Sequence, residues 1–301
     1  MKLTFFDHRP RNFGDDLNAI MWDALLPDGF LDEDASELFV GIGSIIREHS
    51  DYPADATMHV MGAGFGGYGR APKSLENWNF VWVRGPRTAA KLGLEPEKAI
   101  CDAAMLMTYV PFDKPDRSDQ VAFMPHFRAG DLGNWRKACD LAGITFLDPT
   151  LPSGEMLPKI ASARCVISEA MHGCILADTL RTPWIPALPL NAEHVGKWQD
   201  WAESVELTLR PEPLKPSSAM HLYTHKKGRK PQGKARVVLG SPAKIPLDMI
   251  LVRSAAARLA QIAETVEPTL SKDDVLADRC ERALDALDGF VKQRGAVGVT
   301  V

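Results

Sequence analysis

Apolar residues fall along this chain in two rhythms. Short runs, each bounded by polar or glycine residues, sit at 3–6, 38–40, 58–61, 80–83, 99–101, 121–124, 145–147, 165–167 and 184–187. Between many of them, at 15–25, 86–92, 131–142, 154–161, 171–180 and 195–205, the residues read as helical stretches. A short unbroken apolar run suits a strand covered on both faces, whereas a helical period suits a helix with one buried face. The β-α alternation predicts an α/β protein of parallel sheets with helices on both sides.

The alternation breaks at 111–119, a polar, charged, Pro-containing stretch that reads as an interdomain linker. Two Rossmann-like halves are therefore expected, 1–113 and 119–210, with a deep cleft between them. Residues 211–246 hold six prolines and little periodicity, and are expected to form a long excursion. Helical spacing returns over 247–292, in two helices. The second is expected to start at Ser271-Lys272-Asp273-Asp274, a capping box with Asp in place of Glu.

The 301 residues are 45% hydrophobic and 25% charged, a soluble globular composition. No apolar run approaches a membrane span, and the start of the chain lacks a signal-peptide pattern, so a cytoplasmic protein is expected. The cysteine count of five is odd and contains no Cys-x-x-Cys pair, which argues against a disulfide framework or structural zinc. Charge changes the picture more. Residues 214–247 carry eight basic side chains and no acidic one, so a chain of net charge −4 has a remainder of −12. Such a patch suits an anionic partner, or is a solvated loop. Docking on anionic membrane, or on a lipid-diphosphate-linked acceptor, is one expectation for it. No nucleic-acid partner is expected.

Candidate chemistry gathers at strand ends, where ligands bind in open α/β sheets. After the first strand, the loop from Asp7 through Asn12, Gly14 and Asp15 feeds a helix. Asn12 or Asp15 can cap it, and Gly14 permits close backbone approach to a ligand. The acidic pair Asp15-Asp16 is read as complementing the helix dipole rather than as a metal site. Glycine turns follow the second and third strands at Gly41-Ile42-Gly43-Ser44 and from Gly62 to Gly69, without the helix a dinucleotide fingerprint needs. Arg84 ends the fourth strand, where a forked cation can grip carboxylate or phosphate. Asp102 ends the fifth run, placed either to bond a ligand or to cap a helix. His126 and Arg128 leave the first strand of the second half. Ser168-Glu169-Ala170-Met171-His172-Gly173 marks a strand-to-helix handover, with free backbone N–H groups and a positive dipole end offered to an anion. Trp198 and Trp201 either stack on a sugar, with Gln199 and Asp200 nearby, or pack in the core.

Taken in order, these motifs resemble the polysaccharide pyruvyl transferase family. The resemblance is carried by Asn12 to Asn18, Gly41 to Ser44, Val83 to Thr88 with Leu92-Gly93, Asp102 to Leu106, Pro125-His126 and, above all, Ser168 to Gly173. It covers about residues 1–200 and implies a fold like that of GT-B glycosyltransferases. The implied reaction transfers pyruvate from phosphoenolpyruvate to two hydroxyls of a sugar on an exopolysaccharide or cell-surface glycan, which is lipid-linked in one reading. No metal and no cofactor beyond that donor are expected. His172 is then a general acid or phosphate contact, Glu169 its orienting partner or a base, and His126 a second catalytic imidazole. Arg84, Asn12, Gly14, Asp15, Gly43, Ser44, Asp102, Arg128, Ser168 and Gly173 are the expected substrate-binding residues. The basic 214–247 stretch matches no motif of the family. A nucleotide-sugar glycosyltransferase or epimerase of the same fold, and a non-catalytic anion- or glycan-binding module, are the competing readings.

Overall fold

The computed structural model describes residues 1–6, 11–48, 52–67, 69–189 and 195–300. Its first parallel sheet runs in the order β1 (Lys2–Thr4), β2 (Glu37–Val40), β3 (Thr57–Met61) and β4 (Trp78–Trp82). The second holds β5 (Val121–Met124), β6 (Thr145–Phe146), β7 (Cys165–Ser168) and β8 (Trp184–Pro186), in the order β6-β5-β7-β8. Every residue of β5 and β7 is buried, as parallel strands covered on both faces require. Eight of the nine expected runs are thus strands. The run at 99–101 makes only one bridge, Ala99 to Val83, because the chain turns at Asp102, whose carboxylate accepts from Ala104 N at 3.0 Å.

Helices α1 (Phe13–Leu25), α2 (Pro86–Leu92), α5 (Ser153–Ser162), α6 (Met171–Thr179) and α7 (Val195–Ser204) follow the expected periods. The expected helix at 131–142 is instead two, α3 (Phe127–Leu132) and α4 (Trp135–Ala142). His126 starts α3 early by accepting from Arg128 N, and Gly133, extended at ψ 162, ends it. Residues 211–246, expected as a long excursion of little periodicity, contain regular structure. They contain α8 (Ala219–Lys227), capped by Ser218 and closed by left-handed Gly228, then α9 (Gly233–Gly240). Helices α10 (Ile245–Thr265) and α11 (Asp273–Gln293) complete the chain. Ser271 does not cap α11: its hydroxyl and N–H both bond Asp178, and Lys272 holds the cap position.

The core explains how parts of both sheets are brought together. Helix α10 packs on α4 over the second sheet, while α11 returns to pack Cys280, Leu287 and Phe290 into a core shared with Trp22 of α1, Trp82 of β4 and Met105. Helix α1 crosses in the other direction. Phe13 N donates to Pro149 O at 3.0 Å, and Ser153 Oγ donates to Phe13 O at 2.6 Å. Its second turn is fixed by Asn18, which accepts from Ile42 N (2.7 Å) and Trp22 Nε1 (2.9 Å) while donating to Asp15 O and Ile42 O. That buried amide locks the start of α1 to the loop after β2. Among the described residues, no helix is long and apolar enough to cross a membrane.

Candidate active site

The strand ends and helix starts enclose a cavity of about 340 Å³. Asn12, Asp15, Gly43 and Ser44 line it from the first sheet's loops, and His126, Arg128 and His172 from the second's. Those are seven of the thirteen residues expected from sequence. Asp7 to Pro10 of the first loop lie outside the described residues.

The other six stand behind the lining. Arg84 is fully buried and spends its guanidinium inside the protein: Nε donates to Asp200 Oδ2 (3.0 Å), Nη1 to Ser44 Oγ (2.9 Å) and Nη2 to Phe65 O (3.2 Å). It braces Ser44 rather than facing the cavity. Asp200 also accepts from Thr88 N and Oγ1, at 2.9 and 2.6 Å, so this buried pair ties α7 to the start of α2. Gly14 serves a protein side chain: a Cβ there would lie 2.1 Å from His172 Nδ1. Gly173 likewise makes room, for Ser168 Oγ at 2.3 Å and Met124 Sδ at 2.9 Å, and Ser168 itself bonds Ala170. Glu169 is buried, accepts from His126 N at 3.1 Å, and faces a smaller cleft beside His221 and His225. It therefore orients the backbone of His126, and the structure does not show it orienting His172.

Asp102 is the exception among the six. Its Oδ1 lies 3.9 Å from His172 Nε2, beyond hydrogen-bond reach but close enough to favour a charge on the ring. Asp102 Oδ2 and His172 Nε2 have no hydrogen-bond partner among the described residues. Burial costs of this kind persist at sites whose partner is a ligand.

Electrostatics follow from that burial. It raises the Asp102 carboxyl to about 6 against the opposing pull of Arg84, and raises Asp15 to about 6 despite the bond Asp15 accepts from Asn12 (2.6 Å). Burial, then Lys197 and Arg84, lowers His172 to about 3. That holds the ring neutral at pH 7, where the sequence reading offered a general acid or a phosphate contact. Lys197 is lowered to about 8 by burial and by Arg84, while Asp15 and Asp102 pull it back up.

Lys197 and Arg47 line the cavity and escaped the sequence reading. Neither ends a strand. On α7, Lys197 and Asp200 are spaced i, i+3, and so are Trp198 and Trp201, which are buried in the core and not on a sugar site. Two faces of one helix thus have separate tasks, and only the fold shows which lysine points at the cavity. Arg47 follows the Gly-x-Gly-Ser turn by three residues and stacks over Phe6, 4.7 Å from the ring centroid.

Comparison with known proteins identifies the family. Residues 53–188 match the family model described as polysaccharide pyruvyl transferase. Over 314 residues, covering 96% of this chain and 98% of the other, the sequence is 32% identical to the succinoglycan biosynthesis protein ExoV of Rhizobium meliloti (strain 1021).

Proposed function

Because the chain belongs to the polysaccharide pyruvyl transferase family, we propose that its pyruvyl donor is phosphoenolpyruvate and that it closes a pyruvate ketal on a lipid-carried exopolysaccharide glycan. The protein is an enzyme that moves pyruvyl onto polysaccharide. Its two parallel sheets, each giving strand-end residues to one cavity, are read as the halves of a GT-B-like arrangement.

The observation that carries the donor is the charge arrangement of the cavity. Arg47, Arg128 and Lys197 share it with Asp15, held near neutral pH, and with neutral His172. A donor with one carboxylate and one phosphate needs clustered cations. Its reaction also needs groups that exchange protons near pH 7.

In that reaction the donor methylene gains a proton, C2 bonds to two acceptor oxygens, and the C2–O bond to phosphate breaks. The two hydroxyl protons are balanced by one on the new methyl group and one on phosphate. Lys197, Arg47 and Arg128 hold the anionic groups of the donor. Neutral His172 accepts a hydroxyl proton, and Asp102 behind Nε2 stabilises the imidazolium that forms. His126, the second imidazole on the cavity, takes the other; one of these protons then leaves on the phosphate and the other returns to Asp15. Asp15 supplies the methylene proton, which the anionic donor beside it helps to retain.

The test is phosphate release from phosphoenolpyruvate with lipid-linked oligosaccharide, with the ketal methyl followed by NMR. His172→Ala is expected to lower kcat about a hundredfold. Equal rates for both proteins, or sugar transfer from a nucleotide donor without consumption of phosphoenolpyruvate, would overturn the assignment.

A further inference from the structure

We propose that α8, α9 and the first turns of α10 form one surface that docks the protein on an anionic lipid membrane. The apolar and basic side chains that carry it take no part in the transfer reading; only the fit of its position to a lipid-borne acceptor rests on that reading.

Exposed apolar side chains supply the first observation. The described residues include ten large hydrophobics that are exposed, and six of them fall between residues 237 and 250: Val237, Val238, Ile245, Leu247, Met249 and Ile250. Val237 is 73% exposed and Ile250 65%. Single exposed apolar residues are ordinary, but a cluster on adjoining helices marks an interaction surface. Helices α8 and α9 pack together, α10 packs on α8, and the short turn Pro242–Lys244 joins α9 to α10.

Charge supplies the second observation and selects the partner. Lys226, Lys227, Arg229, Lys230, Lys234 and Arg236 are exposed beside the apolar cluster. No acidic residue occurs from 214 to 247, although the rest of the chain is strongly acidic. Asp248, the first acid after this stretch, is buried, where it accepts from Ala219 N at 2.7 Å and pairs with Lys244 at 3.6 Å. It therefore pins α10 to α8 instead of presenting negative charge. On α4, Leu141 is 62% exposed and extends the apolar area across a groove rimmed by Lys137, Asp140 and Arg253. Basic and apolar side chains interleaved on short helices fit the boundary between anionic headgroups and acyl chains. A second copy of this chain, carrying the same positive charge, fits less well.

The position of the surface suits a lipid-borne acceptor. Ser218, the cap of α8, donates to Leu132 O at the end of α3, and the first turn of α3 carries Phe127 and Arg128 into the catalytic cavity. Docking at α8 therefore brings the membrane to an element that shares a wall with the site.

Co-sedimentation of the full chain with phosphatidylcholine vesicles, with and without about 30% phosphatidylglycerol, tests the proposal. Binding is expected only with the anionic lipid and should be released as salt is raised to about 0.5 M. Combined Lys226→Gln, Lys227→Gln, Arg229→Gln and Lys230→Gln should weaken it at least about tenfold. Combined Val237→Ser, Val238→Ser and Ile250→Ser should do so as well, both with unchanged thermal melting. Equal binding to both vesicle types, insensitivity to salt, or indifference to either variant set overturns the proposal. A dimer that dissolves with the serine set and leaves vesicles unbound overturns it in favour of self-association.

Discussion

Gly14→Ala tests the contact on which the whole site turns, because Gly14 is where α1 meets His172. An ideal Cβ at Gly14 would lie 2.1 Å from His172 Nδ1, 2.6 Å from Cγ and 2.8 Å from Cβ. Non-bonded carbons settle at about 3.5–4.0 Å, so the ring must retreat by more than an ångström. His172 is 8% exposed, and the first two turns of α1 are held by Phe13 and Asn18, so neither partner yields freely. Overpacking of this kind costs about 1–3 kcal/mol. Against it stands a helix-propensity gain of up to about 1 kcal/mol for alanine over glycine. The net expectation in the wild-type background is a loss of about 0–2 kcal/mol.

The informative quantity is the coupling, not the single loss. His172→Ala removes the ring and leaves only the Cβ contact at 2.8 Å, which a small shift relieves. In that background Gly14→Ala should be neutral or stabilising by up to about 1 kcal/mol. Urea unfolding of the four proteins at pH 7 then yields a coupling energy of about 1–3 kcal/mol. The same displacement should lower kcat in the Gly14→Ala single variant. A Gly14→Ala effect that agrees in the two backgrounds within about 0.5 kcal/mol would refute the claim that this glycine exists to admit the imidazole.

Three further outcomes follow from the buried charges. Asp200→Ala strands the Arg84 guanidinium without its counter-ion and should cost about 3–5 kcal/mol in urea unfolding, whereas Arg84→Met with Asp200→Leu should cost less. In the pH profile of kcat/KM, a basic limb is expected near 8 as Lys197 loses its proton, and Lys197→Arg should shift that limb upward or abolish it while activity persists. His172 titrates near 3 when folded and near its ordinary value when unfolded, so the unfolded chain binds the extra proton between those values and stability falls as pH drops below 6.5. Asp15 and Asp102, raised to about 6, act in the opposite sense between about 6 and 4. His172→Gln should therefore gain stability relative to wild type by up to about 3 kcal/mol between pH 6.5 and 4, read from unfolding midpoints, and a constant offset across that window would sink the argument.

What the sequence disclosed depended on how local the cause was. Strands such as Val121–Met124 and Cys165–Ser168 are buried on both faces, and their composition alone marks them. The strand-end positions of Asn12, Asp15, Ser44, His126 and His172 were legible for the same reason, since a strand end fixes where the next side chains emerge. Helices α8 and α9 were missed because their exposed faces carry both basic and apolar side chains, which erases the usual period. The break between α3 and α4 came from Gly133, a single residue inside a continuous polar-apolar pattern. Arg84 and Gly14 were placed at the right site with the wrong partner. Each sits where a ligand group is expected, yet each is occupied by another side chain, Asp200 and His172, from more than a hundred residues away in the sequence. Lys197 gave no local sign at all, because its role depends on the phase of α7 against the first sheet.

That last dependence explains why the charges of the site belong to neither half alone. Helix α7 follows the second sheet, yet Asp200 on it is held by Thr88 and Arg84 of the first. Lys197, one turn earlier on the same helix, is thereby aimed at a cavity whose acids, Asp15 and Asp102, come from the first half and hold its charge. Arg84 in turn both anchors α7 and helps to keep Lys197 and His172 less basic than they would be in water. One buried guanidinium thus sets position and proton affinity together. Loss of the Arg84–Asp200 pair should therefore alter the pH profile as well as the stability, which separates this strut from an ordinary packing contact: a neutral Arg84→Met, Asp200→Leu protein that folds should show its basic limb moved from the wild-type position, since the lysine has lost both its aim and its neighbouring cation.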